Sequence, residues 1–523
     1  MTDYIGALDQ GTSSTRFIVF DRDGTPAAMR QLEHRQLLPG PGLVEHDATE
    51  IWRNTTLVIA GALADAGLRG ADLAALGVTN QRETAVAWSQ RTGRPFGNAV
   101  VWQDTRTAVE MQQLADSERG RDIRRRTGLT PSAYFTAGKF SWMLRNDEKL
   151  AIAVESGEAM LGTVDSWLVW NLTGGPHGGV HATDVTNASR TMLMDLEGLC
   201  WDPALLAMFG VPESVLPSII ASSDPHGFGC ASADGPLQAR VPITSVLGDQ
   251  QAALVGQVCF EPGDTKTTYG TGNFVLTNTG SEIVHTDRGL LSTVAYQFGD
   301  AKPVYALEGA VAYTGSTIRW LRDEIGVLSA ADDSERIARQ VHDNGGVYLV
   351  PAFSGLFSPH WRPDARGVIV GLSRHSTSAH LVRAALESIC FQTHDVLDSI
   401  DKVYGRTTTA MKVDGGVTAN GLCMQMQADL LGVPVHRPAV SETTALGAAY
   451  AAGLAVGFWP DTEALQGVWR STRTWEPNWS ASQRNDALRQ WRKAVERSLS
   501  WVDADLDVEP NRGRSIHAHS SPQ

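Results

Sequence analysis

Three short turns rich in glycine and hydroxyls carry most of the chemistry in this sequence. The first, Asp9-Gln10-Gly11-Thr12-Ser13-Ser14-Thr15-Arg16, joins two apolar runs at 4–8 and 17–20 that read as a strand and its return. Such a turn lets backbone N–H groups and the hydroxyls of Thr12, Ser13 and Ser14 close on an anion without steric cost. Asp9 stands at the strand end, where a carboxylate can hold Mg²⁺ through water, because that ion dehydrates reluctantly. Arg16 can neutralise phosphate charge. A second turn, Gly270-Thr271-Gly272-Asn273, lies between apparent strands at 265–269 and 274–277. A third, Val413-Asp414-Gly415-Gly416, precedes a helical pattern through Leu422, Met426 and Leu430 that stops at Gly432. Glycines at a helix start allow a phosphate or a flat ligand to approach the backbone.

Three other stretches suit a hydroxylated acceptor. Asn80-Gln81-Arg82-Glu83-Thr84 follows an apparent strand at 76–78, and its adjacent Arg and Glu can donate to and accept from neighbouring hydroxyls. Val100-Val101-Trp102-Gln103-Asp104 sets an aromatic face beside polar groups. Gly248-Asp249-Gln250-Gln251 puts a carboxylate at a strand end before an Ala-rich helix, where Asp249 can accept a proton from an attacking hydroxyl. An N-cap aspartate is the plainer reading of the same position.

The elements that must hold these turns alternate short β-branched runs with longer helical stretches, a pattern of α/β layers. Strand-turn-strand units open each half of the chain, which points to two duplicated domains facing each other. The boundary is placed at 256, giving domains 1–256 and 257–505 and a disordered tail at 506–523. Residues 443–460, uncharged and rich in Ala and Gly, read as a buried helix. Leu488, Trp491, Val495, Leu499 and Val502 give another helix by their apolar spacing.

Composition narrows the field. The 523 residues carry 44 Lys+Arg against 58 Asp+Glu, a net charge of −14, which argues against nucleic acid and anionic membrane surfaces as partners. The five cysteines have no CxxC spacing, so neither a disulfide framework nor a Cys-rich zinc site is expected. With no basic, apolar leader pattern at the start and no span-length apolar run, a cytoplasmic location is expected. No GxxxxGK[ST], complete GxGxxG or HExxH motif occurs, and His375 and His380 read as surface residues.

Together these residues resemble the FGGY carbohydrate kinases of the actin-like ATPase superfamily. The 8–16 stretch is similar to that family's first phosphate loop. The segments 134–142 and 415–449 resemble its two signatures, and the likeness runs from about residue 3 to about residue 500. The resemblance implies two ribonuclease H-like, actin-like ATPase domains around a central cleft. It also implies ATP as substrate, Mg²⁺ as cofactor, and a homodimer or homotetramer.

Within the family, the acceptor motifs resemble those of members that phosphorylate glycerol. On that basis Arg82, Glu83, Tyr134, Asp249 and Gln250 would bind the hydroxyls, and Trp102 and Phe274 the carbon chain. Thr12, Ser13, Ser14, Arg16 and Thr271 would hold the nucleotide's phosphates. Gly315, Ile318, Arg319, Gly416 and Asn420 would complete the nucleotide site. Asp249 would be the catalytic base, with Asp9 and Asp249 near the metal. Arg319 departs from the glutamine common there. Residues 229–236 lack the basic cluster of relatives controlled by fructose 1,6-bisphosphate, and His226 lies outside the context in which some relatives are phosphorylated. A kinase for another polyol or ketose, and a non-enzymatic actin-like nucleotide switch, remain as alternatives.

Overall fold

The computed structural model describes residues 3–502, so the segment 506–523 lies outside the described residues. Strands Tyr4–Gln10 and Ser14–Phe20 pair antiparallel, with Asp9 opposite Arg16. Side chains alternate across these strands. Leu8, Phe17 and Val19 enter one core with Ile51, Ile59 and Trp167. Ile5, Ala7, Ile18 and Phe20 enter a second core with Leu254, Leu276 and Tyr450, drawn from both halves of the chain.

The first sheet has the order Ile243–Gly248, Leu73–Asn80, Tyr4–Gln10, Ser14–Phe20, Pro26–Glu33. The second has the order Leu291–Tyr296, Val304–Val311, Asn273–Gly280, Thr265–Tyr269, Met411–Asp414, Val435–Pro438, Ser471–Trp475. Counting from each opening strand, both sheets contain the same run. On one side of that strand lie two strands, each antiparallel to the one before it, and on the other two strands that run parallel to it. The repeated turns in the sequence are thus equivalent points of one repeated topology.

The halves meet through two helices. Asp249–Gly256 leaves the first sheet and packs on the second, while Thr443–Ala455 belongs to the second half and packs on the first sheet. They cross on small residues. A Cβ on Gly447 would overlap the Ala252 carbonyl oxygen, and one on Gly256 would overlap that of Thr443. The Ser245 and Thr244 hydroxyls donate to Ala448 and Ala452 carbonyls of the crossing helix at 2.7 and 3.0 Å.

Three elements differ from the sequence expectation. The final helix spans Ala481–Ser498, so Leu499 and Val502 lie beyond it although their spacing continues the apolar stripe. Asp364 draws the chain away there, accepting from the backbone of Ser500, Trp501 and Val502. The uncharged 443–460 run is helical only to Ala455. His380 is buried, with its ring closing a capping box on Thr377, whereas His375 is exposed.

Because the helix crossing has no room for a methyl group, Gly447→Ala should destabilise the protein by about 1–3 kcal/mol, the usual cost of overpacking. Urea unfolding curves of the two proteins test this, and coincident midpoints contradict it.

Candidate functional site

Asp249 is the first residue of its helix and directly follows the strand Ile243–Gly248. Gly248 N–H donates to the Thr186 hydroxyl at 2.9 Å, which fixes the strand end. Arg82 Nε lies 3.2 Å from Asp249 Oδ1. Asp249 leaves 30% of its side chain open, against 1% for Arg82, so it is the accessible carboxylate of the group.

Around Arg82 the structure assembles the expected acceptor residues. Its Nη2 donates toward the Tyr134 hydroxyl at 3.5 Å, and its guanidinium stands 5.9 Å from the Phe274 ring centre. Trp102 meets Tyr134 edge to face at 5.5 Å. The Trp102 Nε1–H donates to Thr12 Oγ1 at 2.9 Å, which ties this aromatic pair to the first turn. Gln250 sits beside Asp249, its Oε1 accepting from Lys266 Nζ at 2.6 Å.

Arg82 and Glu83 also belong to a buried network that the sequence reading missed. Arg82 forms a bidentate pair with Glu308, at 2.6 and 3.1 Å. Arg190 joins Glu308 at 2.9 Å and Glu83 at 2.7 Å. All four side chains are essentially inaccessible. Burial alone would push the Glu308 carboxyl up, but Arg190 and Arg82 outweigh it and hold the group at about 2. For Glu83 burial wins over the same two cations, and its value is raised. Glu83 adopts φ 59°, a rare conformation for a side-chain-bearing residue. Its carbonyl accepts from Thr136 Oγ1 and from the buried Lys139 ammonium, both at 3.2 Å. Burial draws Lys139 down to about 7 and Lys266 down to about 8. Glu308 is a lone charge in an otherwise uncharged strand, and Arg190 stands alone in the stretch 185–194. Those were the available signals.

The phosphate turns are less uniform than expected. Gly11 N–H closes the first turn on the Ser14 carbonyl at 2.9 Å. Ser13 is exposed, but the buried Ser14 hydroxyl accepts from Gln31 and belongs to the sheet. Gly315 N–H and Thr314 N–H bind the carbonyls of Gly270 and Thr271, so the second turn and the helix Gly315–Asp323 form one unit. Arg319 donates to Thr271 Oγ1 at 3.0 Å, which gives this departure from the family pattern a definite partner. Ile318 is buried in the core of the second half with Leu321. Gly415, at φ 88°, packs against the Tyr269 backbone, while Gly416 faces open space. Asn420 caps the helix Gly421–Leu431 by accepting from Cys423 N–H. Glu335 receives the Gly421 and Leu422 N–H groups, so that helix start is already filled by a carboxylate.

Asp9 is buried at the end of the opening strand, 3.9 Å from Arg16. Burial pushes its carboxyl up to about 6 against the pull of Arg16, and Asp249 and Glu442 add repulsion. Among the described residues no group of three or more His, Cys, Asp or Glu is arranged to hold a metal. No helix of the described residues is long and apolar enough to cross a membrane.

These features define a two-domain sugar- and polyol-kinase type of cleft, and the chain belongs to the FGGY family of carbohydrate kinases. The family's N-terminal domain matches residues 4–256 and its C-terminal domain residues 265–456. The chain is 59% identical to glycerol kinase 1 of Streptomyces coelicolor, covering 96% of this chain and 99% of that one. It is 57% identical to the glycerol kinase of Mycobacterium tuberculosis, covering 96% and 97%. Its fold matches the crystal structure of Plasmodium falciparum glycerol kinase with ADP at a TM-score of 0.88, with 35% identity over 95% and 98% of the two chains.

Since the folded Asp9 carboxyl titrates near 6 and its ordinary value is 3.8, the folded state holds this proton more tightly. The cost of ionising it is therefore full above pH 6 and absent below 3.8. Asp9→Asn should then stabilise the protein above about pH 7 by up to about 3 kcal/mol, a gain that shrinks as pH falls. Urea midpoints without nucleotide or divalent cation test it. Equal midpoints near neutral pH contradict the buried-charge account.

Proposed function

We infer that this chain transfers the γ-phosphoryl group of ATP to a terminal hydroxyl of glycerol, giving sn-glycerol 3-phosphate and ADP. The observation that carries the reading is full-length identity of 57–59% to glycerol kinases. It is joined by the open Asp249 carboxylate held beside Arg82. The acceptor lies among Arg82, Glu83, Tyr134 and Gln250, with its carbon chain against Trp102 and Phe274. Arg190 engages Oε1 of Glu83, leaving Oε2 to accept from a substrate hydroxyl. Lys266 occupies the Gln250 carbonyl, so the amide N–H groups are turned toward the ligand.

Asp249 takes the proton of the attacking hydroxyl as its oxygen approaches the γ-phosphorus in line. The transition state is loose, so orientation of that oxygen matters more than the strength of the base. The first turn, with Thr12, Ser13 and Arg16, and the second, with Thr271 and Arg319, grip the phosphates from opposite halves. Ser14 acts through the sheet. Gly315 and Gly416 let the nucleotide lie close to backbone, while Ile318 and Asn420 shape that wall from behind. Mg²⁺ fits Asp9, a buried carboxylate whose raised value and like-charged neighbours Asp249 and Glu442 favour a hard cation. When bound, the ion offsets charge on the phosphate oxygens. An ion shared between one or two carboxylates and the substrate's phosphates needs no all-protein cage.

The proposed division places domains at 1–256 and 257–505, the shared helix pair serving as the hinge of a cleft that closes to exclude water. The same reading makes the protein a cytoplasmic homodimer or homotetramer.

Asp249→Asn should lower turnover by roughly 10²–10⁴-fold in a folded protein. A coupled assay of ADP release, run with glycerol, dihydroxyacetone, erythritol, xylulose, gluconate and no acceptor, tests both parts. Near-normal turnover of the variant overturns the base. Preference for a larger acceptor overturns the substrate, and release without any acceptor favours a nucleotide switch. Small-angle scattering should show a smaller radius of gyration with glycerol and a non-hydrolysable MgATP analogue, and an unchanged curve contradicts closure.

A further inference from the structure

Glu308 projects from the strand Val304–Val311, next to the edge of the second sheet, yet its ion pairs with Arg82 and Arg190 are with the other half of the chain. Arg82 and Arg190 share its two oxygens, and Arg190 passes on to Glu83. The four buried groups are two cations and two anions, and the open Asp249 carboxylate stands at their edge, 3.2 Å from Arg82. Two of them, Arg82 and Glu83, are the pair proposed to bind the acceptor.

Resting on that reading of the site, we propose that Glu308 is a specificity-determining positioning residue. It fixes Arg82 for the acceptor from across the cleft and keeps the pocket's charge balanced for a neutral polyol. A guanidinium that spends two N–H groups on one carboxylate is locked in plane, leaving its Nε edge toward Asp249. Without Glu308, the two buried cations would keep only Glu83 as a buried partner, with the open Asp249 carboxylate 3.2 Å from Arg82. A pocket one charge more positive than the parent's would accept a negative ligand more readily. Arg190 closes the same circuit behind Glu83 and never needs to touch substrate. The positive φ of Glu83 and the hold of Lys139 on its carbonyl keep the other end of the circuit from relaxing.

Glu308→Gln keeps the size of the side chain and removes its charge. The expected result is a KM for glycerol raised about 10-fold or more, with KM for MgATP within about 2-fold and a smaller loss in kcat. The anion glycerate should inhibit this variant about 10-fold more tightly than the parent. Adding Arg190→Gln returns the buried groups to one cation and one anion, and the pocket to the parent's net charge, and should bring KM for glycerol back to within about 5-fold of the parent. If Glu308→Gln does not yield folded protein by circular dichroism, the double variant and Glu308→Asp are compared with the parent by the same KM split. An unchanged glycerol KM in the single variant overturns the proposal. So do a double variant no better than the single one, and a glycerate affinity that does not move. These outcomes are separable from failure of the functional reading, in which the parent protein itself would phosphorylate no polyol.

Discussion

Everything in the cleft depends on how closely two helices approach each other. Asp249–Gly256 and Thr443–Ala455 cross where Gly447 lies against the Ala252 carbonyl and Gly256 against that of Thr443. Strand residue Gly77 admits the Ala448 carbonyl in the same way. Backbone-to-backbone contact of this kind leaves no side chain to reshape, so the crossing is stiff at its centre. Hydroxyls of Ser223, Thr244 and Ser245 add second hydrogen bonds to carbonyls of the same helix. Asp249 begins one helix of this pair and directly follows the strand Ile243–Gly248, so its position is tied to the first sheet and to the crossing. A rotation of the halves about the crossing can open the cleft without moving the proposed base from its strand.

The charge network answers a different problem. A buried carboxylate or guanidinium is costly unless paired, and pairing seldom makes burial more favourable than a well-packed apolar core would. Four such groups at the proposed acceptor site are therefore poor candidates for mere stabilisation. Arranged as Arg82, Glu308, Arg190 and Glu83, they hold two groups in one orientation with no solvent to screen or replace them. Orientation of this kind is what phosphoryl transfer through a loose transition state requires. The contrast in titration agrees. Glu308, on which two guanidiniums converge, is held low, whereas Glu83, with burial dominant, is raised.

How much of this is legible in the sequence depends on the range of the contact involved. The turns after Asp9 and Tyr269 are visible because glycine and hydroxyl residues interrupt two β-branched runs, and turn chemistry is local. The residues proposed for the acceptor are visible as motifs, and Arg82, Trp102, Tyr134, Asp249 and Phe274 lie together in the structure. Glu308 is not visible, since its link to Arg82 spans 226 positions and a single Glu within a strand says nothing of its partner. The end of the last helix fails for the same reason. Apolar spacing runs on through Leu499 and Val502, but Asp364 captures the backbone at 500–502 from a distant loop. Ser14 and Ile318 keep their places in the motif while their side chains serve the sheet and the core.

The duplicated frame also accounts for the division of labour between the halves. Equivalent turns between the first and second strands of each sheet put the two loops proposed to grip phosphate, Gly11–Ser13 and Gly270–Gly272, in related positions. What distinguishes the halves is where the frame is interrupted. In the first half the interruption falls between the strands Leu73–Asn80 and Ile243–Gly248, and it contains Arg82, Trp102, Tyr134 and Arg190. The matching gap in the second half, between Met411–Asp414 and Val435–Pro438, holds little besides the helix Gly421–Leu431. The long interruption there falls one strand earlier, after Val304–Val311, and carries Gly315 and Arg319. Insertions at different points of one repeated scaffold thus separate the residues proposed for the acceptor from those proposed for the nucleotide. Glu308, lying on the frame itself rather than in an insertion, is the point at which the second half reaches Arg82 and Arg190, on the proposed acceptor side of the first.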